Sequence, residues 1–305
     1  MRHARPAPPQ TPRPPMARDV DDQRGWRRPH RGGRGEFAMF AVFAVFAVFA
    51  VFVVIAVLAA SAGIGGVAAV ASPAPPQRMR VHVVATHPHD RTAFTEGLVV
   101  VGGRLFESVG LERHSDVREV ELRTGRVLRR TPLAADLFGE GLAALPDGSL
   151  VQLSWRNRVA LRWGSTLRAE GTFAFAGEGW GLCYDPIGKR LVQSDGSSTL
   201  TFRSPISFAE IGRLAVLQDG NPVTQLNELE CDGRSVLVNI WHSDQIARVS
   251  LVDGRVTAVI DASGLGPGAR DSEDVLNGIA KLRNGHWLLA GKRWPLLYEV
   301  TFESS

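Results

Sequence analysis

The sequence predicts an all-β fold of repeated four-stranded antiparallel sheets, and three observations carry that prediction. First, a short phrase occurs five times: Thr95-Glu96-Gly97-Leu98, Gly139-Glu140-Gly141-Leu142, Gly179-Trp180-Gly181-Leu182, Leu226-Asn227-Glu228-Leu229 and Leu276-Asn277-Gly278-Ile279. Its apolar anchors, at 98, 142, 182, 229 and 279, recur every 40–50 residues, the period of one four-stranded propeller blade. Second, Val120-x-Leu122-x-x-Gly125-Arg126-Val127 matches Val249-x-Leu251-x-x-Gly254-Arg255-Val256, and His114-Ser115-Asp116 matches His242-Ser243-Asp244. These pairs lie 129 and 128 residues apart, close to three such periods. Third, the two ends complement each other. The last repeat stops after its third strand, and a strand of the fourth type precedes the first repeat. The expectation is a five-bladed β-propeller whose ring closes when the N-terminal strand joins the C-terminal blade, leaving only short strand edges.

Taken in order, residues 1–36 are rich in Pro, Arg and Gly and read as a disordered basic tail. Residues 37–71 form a transmembrane or signal segment. Phe37 to Ala60 carries no charge over about 24 residues, enough to cross a bilayer. Arg27, Arg28, Arg31 and Arg34 precede it and should hold the N-terminus in the cytoplasm. Ala69-Val70-Ala71 fits a signal-peptidase site, so a cleaved signal and an uncleaved anchor are both readings, with the length of the run favouring the anchor. Either way the following domain is exported, to the periplasm or the outside. Residues 72–78 are a Pro-rich linker, and residues 79–303 form the propeller.

Within the propeller, Arg80 to Ala85 alternates with β-branched residues and reads as the lone fourth-type strand. His87-Pro88-His89-Asp90 reads as a turn with surface histidines. Val99-Val100-Val101 leads into Gly102-Gly103, and Arg104 to Val109 returns. Val117 to Leu122 and Arg126 to Thr131 complete the first blade. The last blade ends on Leu297 to Phe302.

Charge excludes one function class. The pI near 9.6 comes from the tail, because residues 1–71 hold nine Arg and four acids, a net +5. The whole chain is +4, which leaves residues 72–305 at −1 and removes the argument for a nucleic-acid surface. Cys183 and Cys231 are the two cysteines. Export would let them pair, but they read as isolated small residues in neighbouring blades.

The first strand of a propeller blade lines the central channel. The residues two before the apolar anchors, Glu96, Glu140, Trp180, Asn227 and Asn277, therefore form a ring at its mouth. The loop after each second strand returns to the same face, 14 or 15 residues further on. It brings Trp155, Asp195, Trp241 and Lys292, while Phe94 and Phe138 stand two before the glutamates. An aromatic cup with few polar groups is the expected form of a small-ligand site.

The phrases FTEGL, FGEGL, GWGL with SDGSSTL, NELE, IWHSDQIARV, VLNGIA and GKRWP, in that order, resemble the plant and bacterial type of glutaminyl-peptide cyclotransferase. The resemblance covers roughly residues 80–302. It implies a five-bladed propeller that converts the N-terminal glutamine of peptides or proteins to pyroglutamate and releases ammonia. It implies Glu140 as the catalytic general acid/base and Phe94, Phe138, Trp155, Trp180 and Trp241 as the aromatic cavity. Asn227 and Lys292 become substrate-binding residues. Plant members carry Gln where this chain has Glu96, a carboxylate that would hold the substrate ammonium or couple to Glu140. No cofactor is required and no metal ligand set is assigned, although some plant members bind calcium, so a structural calcium ion stays open. The expected partners are peptides beginning with glutamine, the membrane through residues 37–60 if the segment is uncleaved, and no nucleic acid. The domain is expected to be a monomer.

Two other readings use the same residues. Two Glu and two Asn at a propeller mouth suit a calcium-dependent, lactonase-like hydrolase, though Trp180 occupies a ligand position. A non-enzymatic peptide-binding propeller would tolerate Glu140→Gln, whereas an enzyme would not.

Overall fold

The computed structural model describes residues 74–267 and 273–305, all within the unit Ser72–Ser305. The predicted tail and the segment 37–71 lie outside the described residues. No helix among the described residues is long and apolar enough to cross a membrane.

The architecture is all-β. Strand β1 (Gln77–Pro88) is followed by a four-stranded sheet of β2 (Thr95–Val101), β3 (Arg104–Val109), β4 (Asp116–Glu121) and β5 (Arg126–Pro132). A second holds β6 (Gly139–Ala144), β7 (Leu150–Ser154), β8 (Val159–Trp163) and β9 (Ala169–Ala174). A third holds β10 (Leu182–Asp185), β11 (Arg190–Gln193), β12 (Thr199–Arg203) and β13 (Glu210–Ala215). A two-stranded hairpin, β14 (Leu217–Gln218) and β15 (Asn221–Pro222), follows. Then come β16 (Leu226–Asp232), β17 (Ser235–Ile240), β18 (Gln245–Ser250) and β19 (Val256–Asp261), and last β20 (Leu276–Lys281), β21 (Trp287–Gly291) and β22 (Leu296–Ser304).

The last seven strands and β1 form one eight-stranded sheet, in the order β16-β17-β18-β19-β1-β22-β21-β20. This differs from the separate four-stranded blades that the repeats predict. Strand β1 does take the fourth place beside β22, antiparallel from Met79↔Ser304 to Pro88↔Leu296. It is longer than the predicted 80–85, however. Its first residues, Gln77–Arg80, also pair in parallel with Ala258–Asp261 of β19, which welds two four-stranded sets together. Backbone pairing of this kind leaves no apolar pattern in the side chains, so Gln77 and Arg78 read as linker.

Side chains alternate across each strand, and the apolar ones fill the spaces between neighbouring sheets. Leu142 and Leu150 face Val99 and Phe106, while their neighbours Ala143 and Val151 face Leu182 and Leu191. Val192 and Leu200 meet Leu226 and Val236; Leu237 and Ile246 meet Ile279 and Leu289. Ala280 and Leu288 then meet Leu98 and Leu105, bringing the last sheet against the first. The innermost strands touch in the same cyclic order: β2 on β6, β6 on β10, β10 on β16, β16 on β20, and β20 on β2.

The glycine of the repeated phrase permits this approach. A methyl group on Gly97 would lie 2.6 Å from the Leu142 nitrogen, and Gly141 stands in the same relation to Leu182. The fourth repeat departs from the pattern. Glu228 takes the glycine position, fully buried, and its carboxylate accepts from the amides of Leu98 (3.3 Å) and Ile279 (2.8 Å) across the centre.

Two expectations are corrected. Cys183 and Cys231 form a disulfide between β10 and β16, with their Cα atoms 5.5 Å apart, inside the usual range. They read as isolated because their offsets from the repeat anchors differ by one residue. The packing of these inner strands nevertheless brings them together. His89 is not a surface residue: it is 8% exposed, bonded to Glu107 (2.9 Å) and to the Trp294 carbonyl (2.8 Å). His87 lies in β1 and is half-buried against Glu299, at 3.1 Å. The longer pairing of β1 with β22 sets His87 beside Glu299, and His89 lies against the Trp294–Pro295 turn and β3, contacts that local spacing does not show.

Candidate active site

Four of the five inner strands, β10 excepted, start with a break in register: between Thr95 and Gly97, Gly139 and Leu142, Leu226 and Leu229, and Leu276 and Ile279. Bulges of this type re-aim a side chain out of the ladder. They aim Glu96, Glu140 and Asn227 at one end of the ring, into a cavity of about 340 Å3. Trp155 follows β7, Trp241 follows β17, Lys292 follows β21 and Trp180 precedes β10, so all four arrive on short loops at the same end. Phe94 and Phe138 complete the wall. The nine residues read as catalytic or substrate-binding line this one cavity, joined by Glu273, whereas Asn277 stands behind Glu96. Asp195 does not reach it; that side chain is spent on the amide and hydroxyl of Ser197.

The rings pack edge to face. Trp180 and Trp241 are 5.4 Å apart at 82°, and Phe94 and Phe138 are 6.1 Å apart at 89°. Phe138 also leans on Trp155 at 5.6 Å. The space behind Phe138 is provided by Gly110, where a methyl group would lie 2.5 Å from the ring and 3.0 Å from the Glu96 Cγ.

The polar groups are unequally partnered. Lys292 Nζ donates to Glu96 at 2.8 Å and lies 4.6 Å from the centre of the Phe94 ring. Asn277 Nδ2 donates to the other Glu96 oxygen at 2.9 Å. The carboxylate expected to receive the substrate ammonium therefore already holds a cation. Burial pushes the Glu96 carboxyl up to about 7, against the pull of Lys292 and with a further push from Glu273. Glu140 is 6% exposed and makes no hydrogen bond to any described residue. Burial raises it well above the usual carboxylate range, with Glu96 and Glu178 adding to the effect and Lys292 opposing it. Two carboxyls this close cannot both ionise freely. Lys292 at 2.8 Å favours the charge on Glu96, while burial and the neighbouring Glu96 favour the proton on Glu140.

Two residues at or beside the cavity, Glu273 and Glu178, escaped the sequence reading, and a third was read only in part. Glu273 lies four positions before Asn277, outside every repeat register. Asn277 was placed in the ring, but its role, bonding Glu96 and the Thr95 carbonyl, needs the contact across β20 and β2. Glu178 had a signal: it stands two before Trp180, the register of Phe94 and Phe138 in their own repeats. Among the described residues, no group of three or more His, Cys, Asp and Glu side chains is arranged to hold a metal ion.

A propeller-like all-β scaffold with a buried carboxyl in an aromatic-lined cavity has the form of a small-ligand site. The glutamine cyclotransferase family model matches residues 53–302, and the chain belongs to that family. It is 38% identical over 233 residues to a glutaminyl-peptide cyclotransferase of Arabidopsis thaliana, covering 74% of this chain and 72% of that one. It is similar in structure to the glutaminyl cyclase of Myxococcus xanthus, with a TM-score of 0.71 and 38% identity over 75% of this chain and 99% of that chain.

Proposed function

We propose that this chain is a glutaminyl-peptide cyclotransferase with Glu140 as its general acid/base, carried on a five-bladed propeller that β1 closes. The observation that carries the catalytic assignment is the state of Glu140. It is buried among aromatic rings, raised well above the usual carboxylate range and left without a hydrogen-bonding partner among the described residues. The cyclic contacts of the inner strands and the pairing of β1 with β22 support the closed ring.

The substrate carries both reacting groups. The α-amine attacks its own side-chain carbonyl carbon, and the carbonyl electron pair moves onto oxygen. As that pair returns, the bond to the amide nitrogen breaks. Glu140 gives its proton to the departing nitrogen and takes one from the α-nitrogen. The products are a five-membered lactam and ammonia, and Glu140 ends as it began. A positioned acid/base is worth roughly 10²–10⁴ in rate. The aromatic walls hold the side chain folded back on the amine, and fixing that geometry removes much of the barrier. Asn227, whose side-chain amide has no partner among the described residues, is the donor for the oxyanion. Lys292 keeps Glu96 ionised. No step requires a metal.

The domain acts outside the cytoplasm, anchored through residues 37–60 or released after cleavage. The uncharged run Phe37 to Ala60 and the Cys183–Cys231 disulfide support this placement.

The test uses the full chain and a short peptide beginning with glutamine, followed by ammonia release and peptide mass. Turnover that survives a chelator and falls about 10²–10⁴-fold in Glu140→Gln is the expected result. Turnover abolished by the chelator, or unchanged in a folded Glu140→Gln, would sink the assignment.

A further inference from the structure

We propose that Glu178 is a positioning residue that sets the two tryptophan walls of the cavity; the role rests on the cyclotransferase reading. Both indole N–H groups of those walls end on one oxygen. Trp155 Nε1 donates to Glu178 Oε2 at 2.8 Å, and Trp180 Nε1 donates to the same atom at 3.1 Å. An indole has a single donor and no acceptor, so this oxygen is where both rings are anchored. The other oxygen, Oε1, accepts from Arg156 Nε at 3.0 Å. Arg156 in turn lies over the Trp155 ring, 3.7 Å from its centre. These hydrogen bonds and the Arg156 ion pair hold the Glu178 carboxyl below the usual range although partial burial pushes it up. Its bonds to the two indoles and to Arg156 are therefore of the charge-assisted, stronger kind.

Two further contacts fix the carboxylate's own place. Its backbone carbonyl accepts from Gln193 Nε2 at 2.9 Å, and the next residue, Gly179, donates its amide to the Trp155 carbonyl at 2.9 Å. The segment is thus tied both to its own sheet and to the neighbouring one. Trp155 and Trp180 belong to adjacent sheets, and Glu178 fixes the distance between them. Trp180 then sets Trp241 through their edge-to-face contact. One half-buried carboxylate, itself outside the cavity lining, orients three of the five rings of the aromatic cup.

The experiment compares Glu178→Ala and Glu178→Gln with wild type in the full chain. Indole near-ultraviolet circular dichroism is read without substrate, and kcat and KM with a glutamine-initiated peptide. Because both indoles share one oxygen, the glutamine carbonyl can accept both and loses only Arg156. Glu178→Gln should keep the indole spectrum and stay within about threefold of wild-type kcat/KM. Glu178→Ala should change the spectrum and lose about tenfold or more in kcat/KM, mainly through a higher KM. If Glu178→Ala does not fold, Trp180→Phe carries the test, since it keeps a ring and deletes one donor; a severalfold loss supports the role and wild-type kcat/KM overturns it. An unchanged spectrum in a folded Glu178→Ala, or a Glu178→Gln as damaged as the alanine variant, overturns the proposal. Absence of ammonia release from wild type is a separate failure, of the cyclotransferase reading, because the spectral arm needs no turnover.

Discussion

Glu96 and Glu140 share one cavity with Lys292, and their titration belongs to the pair rather than to either residue. Burial raises both, and the negative charge of Glu96 raises Glu140 further. Removing that charge also frees Lys292 to act on Glu140, which pulls the same way. In Glu96→Gln the ionisation that governs kcat should therefore move to lower pH, while staying above the ordinary carboxylate range because burial remains. A pH profile of kcat for the two proteins measures this, and a shift upward would contradict the coupling. The nine cavity residues were legible because each sits at a fixed offset from a repeated strand start. Glu273 and the bonding of Asn277 were not. Their roles depend on which inner strand lies beside which, and spacing along the chain does not carry that. Glu178 was legible in register but not in kind, since a carboxylate stands there where two other repeats have phenylalanine.

At the scale of elements, the first sheet followed its sequence closely. The predicted return strand Arg104 to Val109 is β3 to the residue, and the next two strands differ from prediction by a residue at one or both ends. Turn residues and alternating apolar positions mark such strands on both sides. The hairpin of β14 and β15 went unseen because two-residue strands have no alternation to read. The disulfide was misread for a related reason, since it joins two elements rather than marking one. It closes a span of 48 residues between neighbouring inner strands, packed in the cluster that includes Val192 and Leu226. Replacing both cysteines with serine should cost roughly 2–4 kcal/mol and lower Tm by roughly 5–15 °C. Turnover well below the melting range should be unchanged, because the bridge lies outside the cavity. Calorimetry beside a rate assay decides this; an unaltered Tm would mean the bridge adds nothing.

For the whole molecule, β1 is the element on which the rest depends. It pairs with β22 along most of its length and with β19 at its start. The last core, between the fifth set of strands and the first, exists only while these strands stay in place. Deleting residues 77–88 should leave β22 and β19 with open edges, which invite pairing between molecules. Size-exclusion chromatography and urea melts should show aggregation and no single cooperative transition. A monomeric, cooperatively folded deletion variant would show that the ring holds without β1.

The position of β1 also orders events in time. It is the earliest of these strands to be synthesised, and its main partner, β22, is the last of them. Its start can pair with β19 only after about 170 further residues have emerged, and its remaining length waits for β22 after about 210. Contacts of such long sequence separation slow folding. A chain cut short of β22 lacks the partner of most of β1. A chain that crosses a membrane before it folds would cross with its latch still undone.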